Sequence, residues 1–317
     1  MGKDQAIIQD VPKPEAGPRE VLIKVKIAGI CGSDLVIYRG KHMRAKPPLI
    51  MGHELVGEVA AVGSEIAGEF SVGERVVVEP PFSCGECEWC RSGRYNLCRK
   101  VGVLGVDGPG AFAEYMVASF EKVHRLPPNV SDYRGVIIEP LSVAVHAVRT
   151  SGLKPGDDIA VIGGGTIGLL AACVARAEGA NKVMVVEVKP FRLKVAGELG
   201  FIAIDGSAQD PVERALEVTA GEGADVVIDA AGFPAVAGMA TSIAKRGGMV
   251  TVIAVHKEPA LVDFRLVMYR ELRLSGSFIY ITQDFKKAID LVASGKVAAE
   301  DKLITHEMPL ERGSEAI

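Results

Sequence analysis

Short apolar segments separated by glycine and proline fill the first part of the chain, up to residue 125. The segments Val21–Ala28, Leu55–Val62, Arg75–Glu79 and Ala111–Ala118 have the length and residue types of β-strands. No long amphipathic helical pattern interrupts them. This part of the sequence therefore predicts an irregular, mostly antiparallel β-domain.

After residue 150 the pattern changes to apolar strands that alternate with helical segments. Helices are predicted after residue 165 and near Pro190–Leu199, Asp210–Thr219 and Pro234–Ala244, and strands at Asp158–Ile162, Lys182–Glu187, Phe201–Asp205, Asp225–Asp229 and Met249–Val255. Strands that alternate with helices of this length indicate βαβ units. The second part is therefore predicted to form a doubly wound parallel sheet, making the chain an α/β protein with a separate β-rich domain.

A glycine motif lies between the first strand and the first helix of the predicted parallel sheet. Its glycines are Gly163, Gly165 and Gly168, and Thr166 and Ile167 complete the pattern G-x-G-x-x-G. In this context the first glycine makes the turn, the second lets a pyrophosphate approach, and the third packs helix on strand. The helix N-terminus then offers N–H groups to phosphate. The motif predicts a dinucleotide site, with a structural glycine turn of a flavodoxin-like domain as the alternative.

An acidic residue at the end of the second predicted strand bears on which dinucleotide binds. Glu187 can accept hydrogen bonds from the ribose hydroxyls and would repel a 2′-phosphate, which favours NAD over NADP. Lys189 and Arg192 follow closely and weaken this preference. We include Arg192 among the predicted coenzyme-binding residues.

Four cysteines form a cluster with the spacing of a metal site: Cys84, Cys87, Cys90 and Cys98. Four thiolates in one loop can close a tetrahedral zinc site with no open position, which is typical of structural zinc. An iron–sulfur cluster also uses four cysteines, but the spacing differs from ferredoxin sequences. Unpaired reduced thiols are the remaining alternative.

Composition narrows the classes of partner and compartment. The chain has 317 residues, 48% of them hydrophobic, and a net charge of −4. It has no basic stripe, so we expect neither nucleic acid nor a membrane surface as partner. The first ten residues include Lys3, Asp4 and Asp10 and lack the apolar core of a signal peptide, so a cytoplasmic location is expected.

Three further segments contain side chains that commonly bind metals. They are residues 31–34 (Cys-Gly-Ser-Asp), residues 52–54 (Gly-His-Glu) and residues 139–142 (Glu-Pro-Leu-Ser). Taken singly, a buried cysteine or histidine is more often part of a core, and a glutamate that begins an apolar segment is more often solvated. Their order before the glycine motif, together with the four-cysteine loop, gives them a common interpretation.

In this combination the sequence resembles the zinc-containing medium-chain dehydrogenases over nearly its whole length, and most closely their butanediol and sorbitol (polyol) branch. The resemblance implies a GroES-like catalytic domain, residues 1–140 and 282–317, and a Rossmann coenzyme domain, residues 141–281. It also implies two zinc ions per chain, one catalytic and one structural, a small alcohol or ketone as substrate, and a homo-oligomer, either dimer or tetramer, typically joined at the coenzyme-domain sheet edge.

The resemblance assigns roles to individual residues. Cys31 and His53 correspond to ligands of the catalytic zinc, and either Glu54 or Glu139 corresponds to the third ligand. The fourth position is left for water or the substrate oxygen. Ser33 would accept the proton of the alcohol while zinc polarises its oxygen and NAD takes the hydride.

The sequence departs from this branch at positions that affect substrate and proton relay. Val36 stands where many relatives have a relay histidine, and His42 is a possible substitute. Ile37 and Ile279 replace residues of the polyol pocket, which favours a secondary alcohol or a vicinal diol such as 2,3-butanediol. The alternatives are a sorbitol or L-iditol dehydrogenase, then an L-threonine 3-dehydrogenase. An inactive nucleotide-binding relative is the alternative from another class.

Overall fold

The computed structural model describes residues 4–317, which form two compact units. The first unit contains the chain through Glu139 together with Ile281–Ser294 and Ile304–Ile317. The second contains Pro140–Tyr280 and Gly295–Leu303. The functional domain division given above, residues 1–140 with 282–317 against 141–281, stays a prediction, and its first three residues lie outside the described part.

The first unit is built on two antiparallel sheets. Its strands are β1 Glu20–Gly29, β2 Glu54–Val62, β3 Arg75–Val78, β4 Pro81–Phe82, β5 Gly102–Val103, β6 Tyr115–Ser119 and β7 Val123–Arg125. Five of them form a sheet of order β6-β1-β2-β3-β7, and β4 pairs with β5. Alternate side chains of the large sheet, such as Val21, Ile23 and Val76, pack into a core that also includes Met116. The predicted β-rich domain is thus observed.

The second unit contains a six-stranded parallel sheet of order β10-β9-β8-β11-β12-β13. The strands are β8 Ile159–Ile162, β9 Val183–Glu187, β10 Ile202–Asp205, β11 Ala224–Asp229, β12 Ala244–Val252 and β13 Arg273–Gly276. All residues of β8 and β9 are buried, as expected for parallel strands covered on both faces. This order is that of a doubly wound Rossmann sheet, so the predicted α/β class is observed.

The helices in chain order are α1 Gly32–Tyr38, α2 Glu88–Arg91, α3 Asp132–Val136, α4 Ile138–Ser151, α5 Thr166–Ala177, α6 Pro190–Glu198, α7 Pro211–Val218, α8 Pro234–Ile243, α9 Phe264–Tyr269, α10 Thr282–Ala293, α11 Glu300–Leu303 and α12 Gly313–Ala316. Short 3₁₀ turns occupy Ser64–Ile66, Tyr95–Leu97, Phe120–Lys122 and Leu310–Arg312. Within residues 4–317, no helix is both long and apolar enough to cross a bilayer.

Two predicted strands differ from the observed ones for identifiable reasons. The segment Ala111–Ala118 becomes a strand only at Tyr115, because the N–H groups of residues 110–112 bond to carbonyls of residues 50–52 instead of a strand. The strand predicted at Met249–Val255 runs from Ala244 to Val252. It ends there because the next two N–H groups both turn to the carbonyl of Asp229.

Candidate active site

Three potential metal ligands meet in the first unit, at the point where β1 ends and β2 begins. One ligand atom each from Cys31, His53 and Glu54 lies within 4.8 Å of the other two. The antiparallel register explains this, because Gly29 pairs with Glu54 and Cys31 follows only two residues later. A Cβ atom at Gly29 would collide with the Glu54 carboxylate. The structure therefore brings together three of the four residues predicted at the catalytic site.

Asp34 connects the two segments that contain these ligands. Its carboxylate is fully buried and accepts hydrogen bonds from the backbone N–H of Cys31, at 2.9 Å, and of Gly52, at 3.4 Å. Its Oδ1 atom also lies 3.9 Å from His53 Nδ1. Sequence reasoning included Asp34 in a motif but gave it no role. Its position three residues after Cys31, where the first turn of α1 begins, is the one local signal for it.

The segment before His53 is held by close backbone packing. Gly52 has a φ of +90°, and a Cβ atom there would collide with the Phe112 ring. The carbonyl of Gly52 accepts a hydrogen bond from Ala111 N at 2.8 Å, and that of Met51 accepts one from Phe112 N at 2.8 Å. The His53 backbone is therefore fixed from one side by residues 110–112 and from the other by Asp34.

The electrostatics of this group indicate a site for a cation. Burial raises the pKa of the Cys31 thiol, and it raises the pKa of Glu54 well above its ordinary value. The negative charge of Glu139 adds to both shifts. Glu54 forms no ion pair with a lysine or arginine in the described part of the chain. A divalent cation would stabilise the charged forms of these ligands.

The donor chemistry of this group fits zinc in a catalytic arrangement. One sulfur, one imidazole and one carboxylate are the kinds of protein ligand that a catalytic zinc takes, leaving a position for substrate. The His53 Nδ1 atom is buried and makes no hydrogen bond within the described residues. Buried polar atoms without a partner are rare, and a metal ion bound by the imidazole of His53 would account for this one.

Two other predicted site residues lie close to this group. Glu139 is 8% exposed, at the first turn of α4, and its charge acts on Cys31 and Glu54, but it is outside the three-ligand group. The hydroxyl of Ser33 is buried. This hydroxyl acts to lower the pKa of Cys31, against the effect of burial. The Ser33 hydroxyl makes no hydrogen bond within the described residues.

The candidate relay histidine has a local structural role. His42 Nδ1 accepts hydrogen bonds from the backbone N–H of Ala45, at 3.1 Å, and of Arg44, at 3.3 Å. Burial lowers its pKa. This nitrogen is therefore occupied by the turn that follows it, which argues against a proton relay through it.

The four-cysteine loop brings its sulfur atoms into one compact group. The Sγ–Sγ distances are 3.5 Å for Cys87–Cys90, 3.5 Å for Cys84–Cys98 and 3.9 Å for Cys84–Cys90. All four thiols are free of disulfides. A tetrahedral zinc site with bonds of about 2.3 Å places its sulfurs about 3.8 Å apart. The loop therefore has the geometry of a closed zinc site.

Backbone N–H groups stabilise negative charge on these sulfurs. The N–H groups of Glu86 and Cys87 lower the pKa of Cys84 to about 6. The N–H of Lys100 lies 3.3 Å from the Cys98 sulfur. The N–H of Cys90 acts to lower the pKa of Cys87. Burial and hydrogen bonding with the neighbouring thiols outweigh it and raise this pKa to about 11. A bound dication would allow all four to be thiolates.

In the second unit the glycine motif forms the turn between β8 and α5. Gly163 has a φ of +108° and donates its N–H to Val186 O at 2.8 Å. A Cβ atom at Gly168 would collide with the Gly163 carbonyl, so helix and turn approach as closely as backbone allows. Gly165 precedes α5, whose first N–H groups belong to Thr166, Ile167 and Gly168. These features fit the turn predicted for Gly163 and the close packing predicted for Gly168, and pyrophosphate binding beside Gly165 stays a prediction.

Glu187 lies at the end of β9, beside this turn. Its carboxylate accepts hydrogen bonds from the N–H groups of Gly164, Val188 and Lys189, at 3.0, 2.6 and 2.9 Å. Although burial opposes the effect, these bonds hold the pKa of Glu187 below its ordinary value. Arg192 Nη1 lies 3.4 Å from the carboxylate, and half of its side chain is exposed. The carboxylate is therefore ionised and fixed next to the glycine turn.

A buried network that the sequence did not indicate connects the four-cysteine loop with α10. Glu79 is fully buried and receives Lys122 Nζ at 2.6 Å, His124 Nε2 at 3.2 Å and the hydroxyl of Thr282 at 2.8 Å. The Tyr95 hydroxyl, between Cys90 and Cys98 in the sequence, contacts both Glu79 and Thr282. Burial acts to raise the pKa of Glu79. The pKa is nevertheless lowered, because His124 and Lys122 stabilise the charge of the carboxylate.

Comparison with known protein families and structures agrees with this arrangement. Residues 17–128 match the family "Alcohol dehydrogenase GroES-like domain", and residues 166–294 match the family "Zinc-binding dehydrogenase". These two matches include the segments of both candidate zinc sites apart from Glu139, and the glycine motif from Thr166 onward.

Individual relatives cover nearly the whole chain. It is 40% identical over 286 residues to 2-dehydro-3-deoxy-L-galactonate 5-dehydrogenase of Pseudoalteromonas atlantica, covering 90% of this chain and 82% of that one. It is 37% identical to sorbitol dehydrogenase of Bacillus subtilis, covering 98% and 89%. The crystal structure of 2R,3R-butanediol dehydrogenase from Bacillus subtilis superposes with a TM-score of 0.93 at 35% identity, covering 99% and 92%. The chain belongs to the zinc-binding alcohol dehydrogenases, within the polyol dehydrogenase branch of the medium-chain dehydrogenase/reductase family.

Proposed function

We propose that this protein is an NAD-dependent enzyme that oxidises a secondary alcohol or vicinal diol to a ketone at a zinc ion held by Cys31, His53 and Glu54. The observation that carries the proposal is the compact three-ligand group, in which His53 is buried and Glu54 has no lysine or arginine partner within the described residues. Zinc bound there would act as a Lewis acid that lowers the pKa of the alcohol. NAD bound to the second unit would supply the hydride acceptor.

Glu54 is the third ligand in this proposal, and Glu139 is a nearby carboxylate. The support is geometric, since Glu54 shares the 4.8 Å group with Cys31 and His53 and Glu139 does not. Glu139 then adds negative charge close to the cation, which strengthens its binding. Exchanging each glutamate for glutamine and measuring bound zinc would separate them, because the larger loss is expected for Glu54→Gln.

The proton of the substrate hydroxyl is accepted by Ser33 in this proposal. Its hydroxyl is buried, lies close to the Cys31 thiol and has no hydrogen-bond partner within the described residues. A hydroxyl can accept one proton while it donates its own onward, so it needs no shifted pKa of its own. Since Val36 replaces the relay histidine of many relatives, and His42 Nδ1 is occupied, the proton would continue to ribose or water.

The four-cysteine loop would hold a second, structural zinc ion. The sulfur distances of 3.5 to 3.9 Å support this assignment, because four thiolates fill a tetrahedral coordination shell. Such a site leaves no position for substrate. The protein would therefore bind two zinc ions with different roles.

Preference for NAD over NADP rests on Glu187. An ionised, immobile carboxylate next to the glycine turn accepts ribose hydroxyls and repels a 2′-phosphate. Replacing Glu187 with alanine should raise kcat/KM with NADP, since it also frees Arg192 to pair with the phosphate. An unchanged ratio of the two coenzymes in this variant would refute the assignment.

The substrate class follows from residues that differ from the polyol branch. Ile279 stands where sorbitol dehydrogenases have an arginine before the tyrosine, and a polyol needs such partners for its hydroxyls. Ile37 is almost fully buried, so the argument depends mainly on Ile279. NADH formation with 2,3-butanediol, sorbitol and L-threonine tests it. We expect the highest kcat/KM with butanediol, and a preference for sorbitol would contradict this interpretation.

A homo-oligomer is the proposed assembly, joined through an edge of the six-stranded sheet. The terminal strand β13 and the neighbouring α9 segment expose large apolar side chains, namely Leu261, Phe264, Met268, Tyr269, Leu274 and Phe278. Exposed apolar groups near a free strand edge are typical of a surface that pairs with another chain. Light scattering of the protein and of Leu274→Glu would test this, with dissociation expected for the variant.

A further inference from the structure

A partly exposed histidine pairs with a buried aspartate at the carboxyl end of the parallel sheet. Asp229, the last residue of β11, is fully buried and accepts hydrogen bonds from the N–H groups of Ala231 and Gly232, each at 3.0 Å. Its other oxygen lies 2.6 Å from Nε2 of His256. The second ring nitrogen of His256, Nδ1, is buried and has no hydrogen-bond partner within residues 4–317. Neither residue has a role in the function proposed above.

This pair adjoins the glycine turn of the coenzyme site. A Cβ atom at Gly163 would lie 3.0 Å from backbone atoms of Ala230 and Ala231, and one at Gly168 would lie 3.3 Å from the Ala230 side chain. The loop that Asp229 organises therefore packs directly against that turn. In open α/β sheets, ligands bind at this edge, in the crevice where the strand order reverses. Here the reversal lies between β8 and β11.

The two halves of the sheet place Glu187 and His256 in corresponding positions. The strand order β10-β9-β8-β11-β12-β13 consists of two three-strand halves that meet at β8 and β11. Glu187 ends β9, the second strand of its half, and its carboxylate reaches the turn after β8. His256 follows β12, the second strand of the other half, and its imidazole reaches Asp229 at the end of β11. Each half of such a sheet binds one mononucleotide.

We propose that His256 binds a hydroxyl group of the nicotinamide-side ribose through Nδ1, as Glu187 binds the adenosine-side ribose. This inference rests on the proposed use of NAD. A carboxylate only accepts hydrogen bonds, so in an imidazole with one ring proton Asp229 holds that proton on Nε2. Nδ1 is then an acceptor. It can receive a ribose hydroxyl but cannot bond to pyrophosphate oxygens, which are acceptors too.

The experiment compares three probes that extend progressively along the coenzyme. Dissociation constants of AMP, ADP-ribose and NADH are measured by calorimetry for the zinc-loaded wild type, His256→Ala and His256→Gln. The glutamine amide can still donate to Asp229 in place of Nε2 but has no acceptor at the position of Nδ1. Both variants should bind ADP-ribose and NADH about fivefold more weakly and AMP with unchanged affinity.

Controls and contrary outcomes separate this inference from the proposed function. Glu187→Ala should weaken all three probes, and His306→Gln, at an exposed position, should weaken none. If His256→Gln binds ADP-ribose as the wild type does, His256 only positions the loop and the inference fails. If the variants weaken NADH but not ADP-ribose, the contact is not to the ribose, and the assignment is wrong. A wild-type protein that binds neither NADH nor ADP-ribose would instead refute the proposed function.

Discussion

The two candidate zinc sites of the first unit are built in opposite ways. The four-cysteine loop takes all its ligands from residues 84–98, and three of its four cysteines are partly exposed. The other group combines a cysteine, a histidine and a glutamate from two segments that meet only because β1 pairs with β2. One site is therefore complete within a local stretch of chain, whereas the other exists only when the sheet has formed.

The sites also differ in how they support negative charge. In the loop, backbone N–H groups face the sulfurs and lower the pKa of Cys84 to about 6, while the pKa of Cys87 is raised to about 11. Around Cys31, burial and neighbouring carboxylates raise the pKa values of the thiol and of Glu54. At the Cys31 group no lysine or arginine pairs with Glu54 within the described residues, so a bound cation would be the main source of positive charge there. A structural zinc and a catalytic zinc differ in coordination, since four thiolates would fill the shell in the loop, whereas three ligands at the Cys31 group would leave a position for substrate.

The loop nevertheless has influence beyond its own residues. Tyr95 contacts Glu79 and Thr282, and Thr282 is the first residue of α10. Loss of the loop's metal would therefore disturb a buried network that holds a distant part of the first unit. We therefore predict that damage to the group of Cys31, His53 and Glu54 removes activity, and that damage to the four-cysteine loop removes stability.

The largest effect is expected from His53→Ala. Removing this ligand should lower kcat/KM by about 1,000-fold or more, since Lewis-acid stabilisation contributes several kcal/mol to the transition state. Zinc content should fall from two ions to one per chain, and the melting temperature should change little. Metal analysis, kinetics and calorimetry check this together. His306→Ala is the control, and loss of both zinc ions would contradict independent sites.

Cys87→Ser should have the opposite profile. One zinc ion should again be lost, but the melting temperature should fall by about 10 °C, because a structural zinc contributes directly to folding. At a temperature where the variant is folded, kcat should stay close to that of the wild type. Cys173→Ser, a buried position in α5, should keep both zinc ions. Normal melting and normal zinc content in Cys87→Ser would refute a structural site.

The local or distant origin of each feature decides how much of it the sequence predicts. The four-cysteine loop and the glycine motif are contiguous, so spacing alone indicates them. The inner strands β8 and β9 of the parallel sheet are short apolar runs, because both faces of the sheet are covered there. The edge strand β13 escapes detection, since Arg273–Gly276 is mostly exposed and has no apolar run.

Features made by long-range contacts are not visible in the sequence. Asp34 bonds to Gly52, and His256 bonds to Asp229, across separations that no periodic pattern connects. The choice between Glu54 and Glu139 likewise depends on how β2 and α4 are placed. Cys31 and His53 are identified as ligands through the family resemblance, because relatives share the fold that brings the two residues together. The chemistry of each residue alone does not indicate this contact.

Asp34→Asn should weaken zinc binding at the group of Cys31, His53 and Glu54, because Asp34 holds the two segments that contain these ligands. An amide can accept only through its oxygen, so one of the N–H groups of Cys31 and Gly52 loses its partner. We expect zinc at this site to bind 10- to 100-fold more weakly, the usual effect of altering a residue that orients ligands. Chelator competition measures this. The four-cysteine zinc should keep its affinity, and equal weakening at both sites would show a general loss of folding.

The smallest effect is expected from Glu79→Gln, and it depends on pH. At neutral pH the variant should lose about 1.5 kcal/mol in free energy of unfolding, because a buried charge-assisted network becomes neutral. The pKa of Glu79 is lowered in the folded protein. Its contribution is therefore complete above the unfolded value of about 4.3 and is lost as pH falls through the folded value.

Denaturant titrations of wild type and Glu79→Gln across the acid range measure this dependence. The difference between the two proteins should be constant near neutrality and should shrink below about pH 4 as Glu79 in the wild type takes up a proton. Zinc content of the four-cysteine loop should remain complete in both, because no ligand is changed. A difference that persists unchanged at low pH would show that Glu79 acts through shape and not charge. Loss of the loop zinc in Glu79→Gln would show that the network supports the loop and not the reverse.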